Sequence, residues 1–547
     1  MKKNIKLLFV YIFTIIFIVP TSICAIDEPQ VSVILDNEFI VYDEYYGIPY
    51  INDDNRTMVP LRLTLETFGA KVEWDGELNL AVLTYEDTVV KVPIGEKFIY
   101  KNGEKIENDT YAVNKNSRIF LPIRVVMEAF DCEVLWDGAN RIVIINSDYS
   151  PYIDKEDARF DLREEGNVTS VKDQKGIGAC WAFAALGAIE STLLKQTGEM
   201  YDFSEDNISL GHGYNLTQND GGYAMLALAY FARWSGPVLE EEDVYGDGII
   251  NENAKTIKHV QEAYYLPPDD LQAIKHTVKN YGGVHSSIYW ESEKDDYGKY
   301  YNRNTYSLNY NGDDRFNHDV VIVGWDDNYP KENFVIEPED DGAFICKNSY
   351  GTDFGEEGYL YVSYYDKYIG KYNMVYSRIE NDDNYDRIYQ SDWLGSVRDI
   401  GFNIDTGYFS NVFQTSDKEE LRAVSFYTTG MNSKYEIYVV EDFNDKSDFS
   451  NMKFIESGFR EYEGYYTINL KEPIILDNSK FAVIVKITTP GRKYPIAVEL
   501  YNDSSTVNRT DSANNESYIS YDGEIWQNIQ STMNGNVCLK AFTDVVE

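Results

Sequence analysis

The chain has 547 residues, 49 basic against 91 acidic side chains, a formal charge of -42 at neutral pH and 43% hydrophobic residues. That length gives room for several domains, and that apolar content gives each an ordinary packed core. A charge of this sign repels phosphate backbones and anionic membrane surfaces, which excludes nucleic acid as a partner and leaves a solubilising surface with a mild preference for cationic substrates.

The opening stretch MKKNIKLLFVYIFTIIFIVPTSICAIDEPQ places three lysines before an apolar run from Leu7 to Val19, followed by small residues from Ser22 to Ala25. This is the layout of a secretory signal, predicted over residues 1–25, and the run is short for a membrane span. A retained anchor and a lipid on Cys24 are the alternatives, the second weakened by the poor lipobox of Thr21, Ser22 and Ile23. The chain is therefore expected to be secreted or held at a bacterial cell surface. Beyond the signal stand Cys132, Cys180, Cys346 and Cys538, none at the close spacing of a disulfide framework or a zinc site.

Residues 26–150 contain a repeat. RTMVPLRLTLETFGAKVEWDG returns as SRIFLPIRVVMEAFDCEVLWDG, with Pro60 and Pro122, Arg62 and Arg124, Phe68 and Phe130, and Trp74 and Trp136 each 62 positions apart. Each copy predicts an extended apolar piece, a short helix begun near the proline, then strands around a Trp-Asp-Gly turn. The segment resembles the stalk module related to the N-terminal domain of copper amine oxidases. That resemblance implies a spacer, wall-binding or adhesion role, and no copper chemistry, because the segment has no histidine.

Residues 151–382 change character. ACWAFAALGAIESTLLKQTG places Ala182, Ala185, Ile189 and Leu193 on one helical face and stops at Gly198, so a helix is predicted to begin close to Cys180. NHDVVIVGWD and GAFICKNS are apolar on both alternating faces, the pattern of central strands in an antiparallel sheet. A helical half followed by a sheet half is an α+β arrangement.

Cys180 read alone is a small buried hydrophobe, half a disulfide, or a nucleophile. A nucleophilic thiol needs a base, a positive local field and donors for an oxyanion. A helix N-terminus supplies the field, Gly176 and Gly178 let the backbone turn before the helix, and Gln174 offers a side-chain amide donor. The bases available are His212, His259, His276, His285 and His318. Of these His318 heads an apolar strand, where packing gives no reason for a polar ring. Asn348 ends the neighbouring strand, and a neutral amide there can fix an imidazole tautomer.

Cys180, His318 and Asn348 follow in that order with separations of 138 and 30 residues. QKGIGACWAF, NHDVVIVGW and KNSYGTDFGEEGYLYV, with SEDN and NDGGY between them, make this segment resemble the papain-like cysteine peptidases. The resemblance implies that Cys180 attacks, His318 shuttles the proton, Asn348 orients His318 and Gln174 helps form the oxyanion hole. It further implies that Gly221 and Gly222 pair with the substrate backbone, with Trp181 and Tyr350 beside the substrate. Three features depart from the family. Ile177 and Asn219 occupy the positions of its usual disulfide, Tyr350 replaces the tryptophan that shields the Asn-His bond, and no helical propeptide is recognisable. The cleft is thus expected to hold its shape by packing alone. No cofactor and no metal are expected. DVYGDGIINENA resembles a calcium loop, but Tyr245 and Ala254 fall where oxygen ligands are required.

From Asp383 onward short strands rich in Tyr, Phe and Val alternate with Gly, Asn and Asp turns, predicting a β-sandwich over residues 383–547. This part resembles the lectin-like domain that follows the peptidase in clostridial relatives. Tyr518, Tyr521 and Trp526 are its candidates for stacking on a sugar, against the plainer reading as sheet core. The expected whole is multidomain: a small α+β repeat module, an α+β papain-like peptidase and an all-β sandwich. The expected function is extracellular cysteine endopeptidase, acting on proteins or peptides, with a wall or glycan ligand on the flanks. The alternatives are a surface adhesin that binds peptides without cleaving them, or a cysteine acyl-transferase of another kind.

Overall fold

The computed structural model describes residues 31–546 apart from 37, 41, 43–45, 77, 86–87, 116–117, 138–140, 148–156, 292–297 and 501–515. The predicted signal and Cys24 lie outside the described residues.

In the N-terminal part the two sequence copies face one another. Strand Thr57–Pro60 pairs antiparallel with its repeat Arg118–Pro122, Val59 opposite Leu121. Each strand ends in the proline, and a helix starts at the next residue, Leu61–Thr67 and Ile123–Glu128. Proline suits a helix start because its missing N–H would have had no intrahelical partner there. Strands Lys71–Asp75 and Glu133–Asp137 follow and carry the exposed Trp74 and Trp136.

The helix Cys180–Thr197 runs through the middle of the next part and is buried from Trp181 to Leu193. A single apolar face was the expectation. The structure instead covers the helix on all sides, which suits a stretch so rich in alanine and leucine. It ends at Gly198, whose φ of 73° suits a left-handed cap, with its N–H on Leu194 O. Against it lies an antiparallel sheet in which His318–Asp326 is central, flanked by Ala343–Lys347 and Val284–Ile288 and fully buried until its last residue.

The all-β part is present as expected, but it does not stand apart. Strand Lys258–Leu266 pairs with Asn373–Asn381 on one side and with Glu463–Asp477 on the other. One 13-stranded sheet therefore runs from the peptidase-like part into the sandwich. The second layer of the sandwich is a six-stranded sheet around Thr406–Gln414 and Lys480–Thr488. Trp526 is buried there, stacked on Phe449 at 4.1 Å, and Tyr518 packs on the same ring at 5.3 Å. Of the three aromatic candidates, only Tyr521 is exposed. The described residues contain no helix long and apolar enough to cross a membrane.

Candidate active site

Cys180 is the first residue of its helix, free and half-buried, and no acidic side chain occupies the helix's first turn. The unsatisfied N–H groups at that end therefore act on the thiol unopposed from within the helix. Just before it, Gly178 N–H donates to Asn219 Oδ1 at 3.3 Å, and a Cβ on Gly178 would lie 2.7 Å from the Asn219 carbonyl oxygen. The cleft loops thus meet backbone to backbone where the resemblance led one to look for a disulfide. Packing alone does not shape the cleft: a hydrogen bond and a contact that only glycine permits also hold it.

His318 and Asn348 come from adjacent strands in antiparallel register, Val321 opposite Lys347. Both are buried, and His318 Nε2 lies 2.7 Å from Asn348 Oδ1. The acceptor oxygen places the proton on Nε2 and makes Nδ1 the acceptor nitrogen of the ring. Ser349 N–H donates to the same Oδ1 at 2.8 Å, which holds the amide in this orientation. Tyr350 stacks on the imidazole with ring centroids 4.8 Å apart, its hydroxyl 3.4 Å from Nδ1.

Burial lowers the His318 pKa, opposed by the Asn348 hydrogen bond and the Asp319 charge. Burial, with the Asp319 carboxylate, pushes the Cys180 thiol up to about 12. In both groups burial opposes the charged form. A thiolate can form only as the proton moves to a partner that becomes positive beside it.

Gln174 is buried, with Nε2 donating to Ile177 O at 2.8 Å and Oε1 accepting from Ser349 Oγ at 2.6 Å. Its amide is thereby fixed, and one N–H of the –NH₂ is not used by Ile177. The open cleft passes Gln174, Ile177, Gly178, Asn219, Trp290 and Tyr350. Gly222 lies against the Trp181 indole so closely that a Cβ would fall 2.5 Å from Nε1, while Gly221 has φ +79° and open space. Trp181 is 1% exposed. Its expected place beside the substrate is therefore corrected: it is the floor beneath Gly222.

Three residues at the site were not singled out from the sequence. Trp290 packs on Tyr350 at 5.7 Å and His318 at 6.2 Å, so two aromatic rings cover the Asn348–His318 pair. Asn317 grips the Trp290 backbone twice, Oδ1 accepting its N–H at 2.7 Å and Nδ2 donating to its carbonyl at 3.0 Å. Asp319 is buried, accepting from Ser287 Oγ at 2.7 Å and facing His285 Nε2 at 3.2 Å. The one sequence signal here was the polar run Asn317-His318-Asp319 opening an otherwise apolar strand, which points to Asp319 and not to the pairing of Asn317 with Trp290. In the rejected calcium loop, Asp247 Oδ1 accepts Ile249 N–H and Asp243 Oδ2 accepts Asn207 Nδ2 and Asn251 N–H.

Cys180 thus opens a helix that packs against the strand headed by His318, and Asn348 follows the next strand of the same sheet. Residues 157–379 match the family described as papain family cysteine protease. Residues 39–145 match the copper amine oxidase N-terminal domain and 388–543 the lectin-like domain. The particular likenesses are to two groups. A cathepsin L-like peptidase of Aedes aegypti and cathepsin K of Gallus gallus are each 30% identical over 211 residues, 37% of this chain. The matched stretch spans 57% and 58% of those relatives' own lengths. The clostridial cysteine protease Cwp84 after propeptide cleavage is 26% identical with a TM-score of 0.64, over 71% of this chain and 99% of that one. The cysteine protease and lectin-like domains of Cwp84, a surface layer associated protein of Clostridium difficile, give a TM-score of 0.61 at 26% identity, over 72% and 90%.

Proposed function

We propose that the chain is an extracellular cysteine endopeptidase that hydrolyses peptide bonds through an acyl-enzyme on Cys180. The observation that carries this is the buried His318 Nε2–Asn348 Oδ1 bond of 2.7 Å, which fixes the imidazole at the head of a strand that packs on the cysteine helix. In the proposed reaction Nδ1 takes the Cys180 proton as sulfur attacks the peptide carbonyl, and the imidazolium returns it to the leaving amine. Water then attacks the acyl-enzyme by the same route in reverse roles. The Cys180 N–H and the Gln174 amide receive the oxyanion. An extended substrate lies along Gly221 and Gly222 by backbone pairing. The lectin-like match and the surface-layer association of Cwp84 support a surface location and a wall or glycan ligand for the flanks.

The second reading is a surface protein that binds peptides on this peptidase-like scaffold without cleaving them. Treating the full chain with a thiol-directed epoxide and locating the label by mass spectrometry separates the two. Label confined to Cys180, together with loss of peptide cleavage in Cys180→Ala, is the result expected for the enzyme. An unlabelled Cys180 and no cleavage at neutral pH would favour the binding protein.

A further inference from the structure

The turn behind the peptide-binding wall is closed by the lectin-like part of the chain. Gly222 rests on the Trp181 indole, and Trp181 is backed by His212, ring centroids 5.9 Å apart and nearly perpendicular. His212 belongs to a turn whose next residue, Gly213, is pressed on Trp393: a Cβ there would sit 2.9 Å from the indole Nε1. The Tyr214 hydroxyl donates to Leu394 O at 2.6 Å. Arg233, itself buried, ties the two chains of contact together. It donates to Gly211 O at 2.6 Å, His212 O at 3.2 Å and Trp393 O at 3.0 Å, with its guanidinium 4.8 Å from the Trp393 ring centre.

The strap that carries Trp393 is anchored on its own side. Trp393 N–H donates to Glu499 Oε2 at 2.7 Å, Asn536 Nδ2 to Ser391 O at 2.9 Å, and Asp392 pairs with Lys540, both side chains fully buried. Charged groups are held out of water here only because each has a partner. The strap is thereby tied to the sandwich, and the turn Gly211–Tyr214 is tied to the strap.

We propose that Trp393 is a positioning residue for peptide binding. By holding the Gly211–Tyr214 turn, it fixes His212 and Trp181 beneath Gly222 and so sets the height of the wall along which an extended peptide pairs. This rests on the peptidase reading for the use of the wall. Its consequence is that the lectin-like part is a piece of the peptide site and not only an address tag.

The test uses the full chain with Trp393→Ala, Trp393→Phe and Tyr214→Phe. KM and kcat are measured on a fluorogenic peptide long enough to reach Gly222, peptide Kd in the Cys180→Ala background, and the alkylation rate of Cys180 by iodoacetamide. Trp393→Ala is expected to raise KM and Kd about tenfold, leaving kcat and alkylation within about twofold. Trp393→Phe is expected to recover most of the affinity, and Tyr214→Phe to raise Kd by a smaller factor. Unchanged KM and Kd in Trp393→Ala overturn the proposal. If Trp393→Ala does not fold, Tyr214→Phe decides, and an unchanged Kd there is equally fatal. A chain that turns over no peptide sinks the peptidase reading, while the Kd comparison still judges the role of Trp393.

Discussion

At the scale of single residues, Asn348 does two things that can be measured apart. Its Oδ1 fixes the ring of His318, and its hydrogen bond raises a histidine pKa that burial lowers. The neutral imidazole is the form that accepts the Cys180 proton, so kcat/KM falls as pH falls through the His318 pKa, below the usual histidine range. Asn348→Ala is expected to cut kcat about 10²-fold through misplacement of the base. It should also move the acid limb to lower pH, because the contact that favoured the charged ring is gone. A pH–rate profile with the limb unmoved would refute the electrostatic half of this account. Cys180, His318 and Asn348 were legible because each opens or closes a strongly patterned element. Trp290 and Asn317 were not, because their work is to cover and grip one another across 27 positions of chain, and nothing local marks that.

At the scale of elements, the cysteine helix is pinned by charge as well as by burial. Lys172 Nζ reaches Glu190 of that helix at 3.2 Å and Glu205, at the start of the helix Glu205–Gly211, at 2.9 Å. Burial works against the Lys172 charge, yet the Glu190 and Glu205 carboxylates hold its pKa above the usual lysine range. Burial in turn pushes Glu205 up to about 8. Above about pH 8, where Glu205 is ionised, Lys172→Met would leave two nearly inaccessible carboxylates without this cation, and about 3–5 kcal/mol of stability should go with it. Denaturant unfolding reads this directly, and a loss under about 1 kcal/mol, the range of exposed pairs, would mean the cluster is not what holds the helix. The helix itself was readable from GACWAF onward, and so were the two apolar strands beside it. The joined sheet was not readable. Lys258–Leu266 takes its second partner from Glu463–Asp477, and a strand's hydrogen-bonding edge leaves no imprint on its own side-chain pattern.

At the scale of the whole molecule, the three parts meet around a cavity of about 400 Å³ lined by carboxylates from each. Glu133 comes from the repeat module, Asp270 from the peptidase domain and Glu461 from the sandwich, with Asp36, Glu262, His276 and Arg460 also facing the space. Burial first, then the Glu133 charge and, more weakly, that of Asp270, raises Glu461 to about 7. Asn146 donates to Glu133 Oε2 at 2.8 Å, and its side chain also hydrogen-bonds Glu461. Beside the cavity Ile34, Ile142 and Ile144 pack on Phe459, an apolar contact indifferent to pH. A carboxyl whose pKa is raised by docking binds its proton more tightly in the docked state. Its contribution to docking is therefore full below the free carboxyl range and is lost as pH rises through about 7. Small-angle scattering of the full chain from about pH 5 to about pH 9 should show the molecule lengthening on the alkaline side as the repeat module swings away. Glu461→Gln removes the charge that forces the change and should keep the compact form at high pH. A radius of gyration constant with pH in the native chain, or a transition that persists unaltered in Glu461→Gln, would mean that the isoleucine–phenylalanine contact alone decides how the module sits.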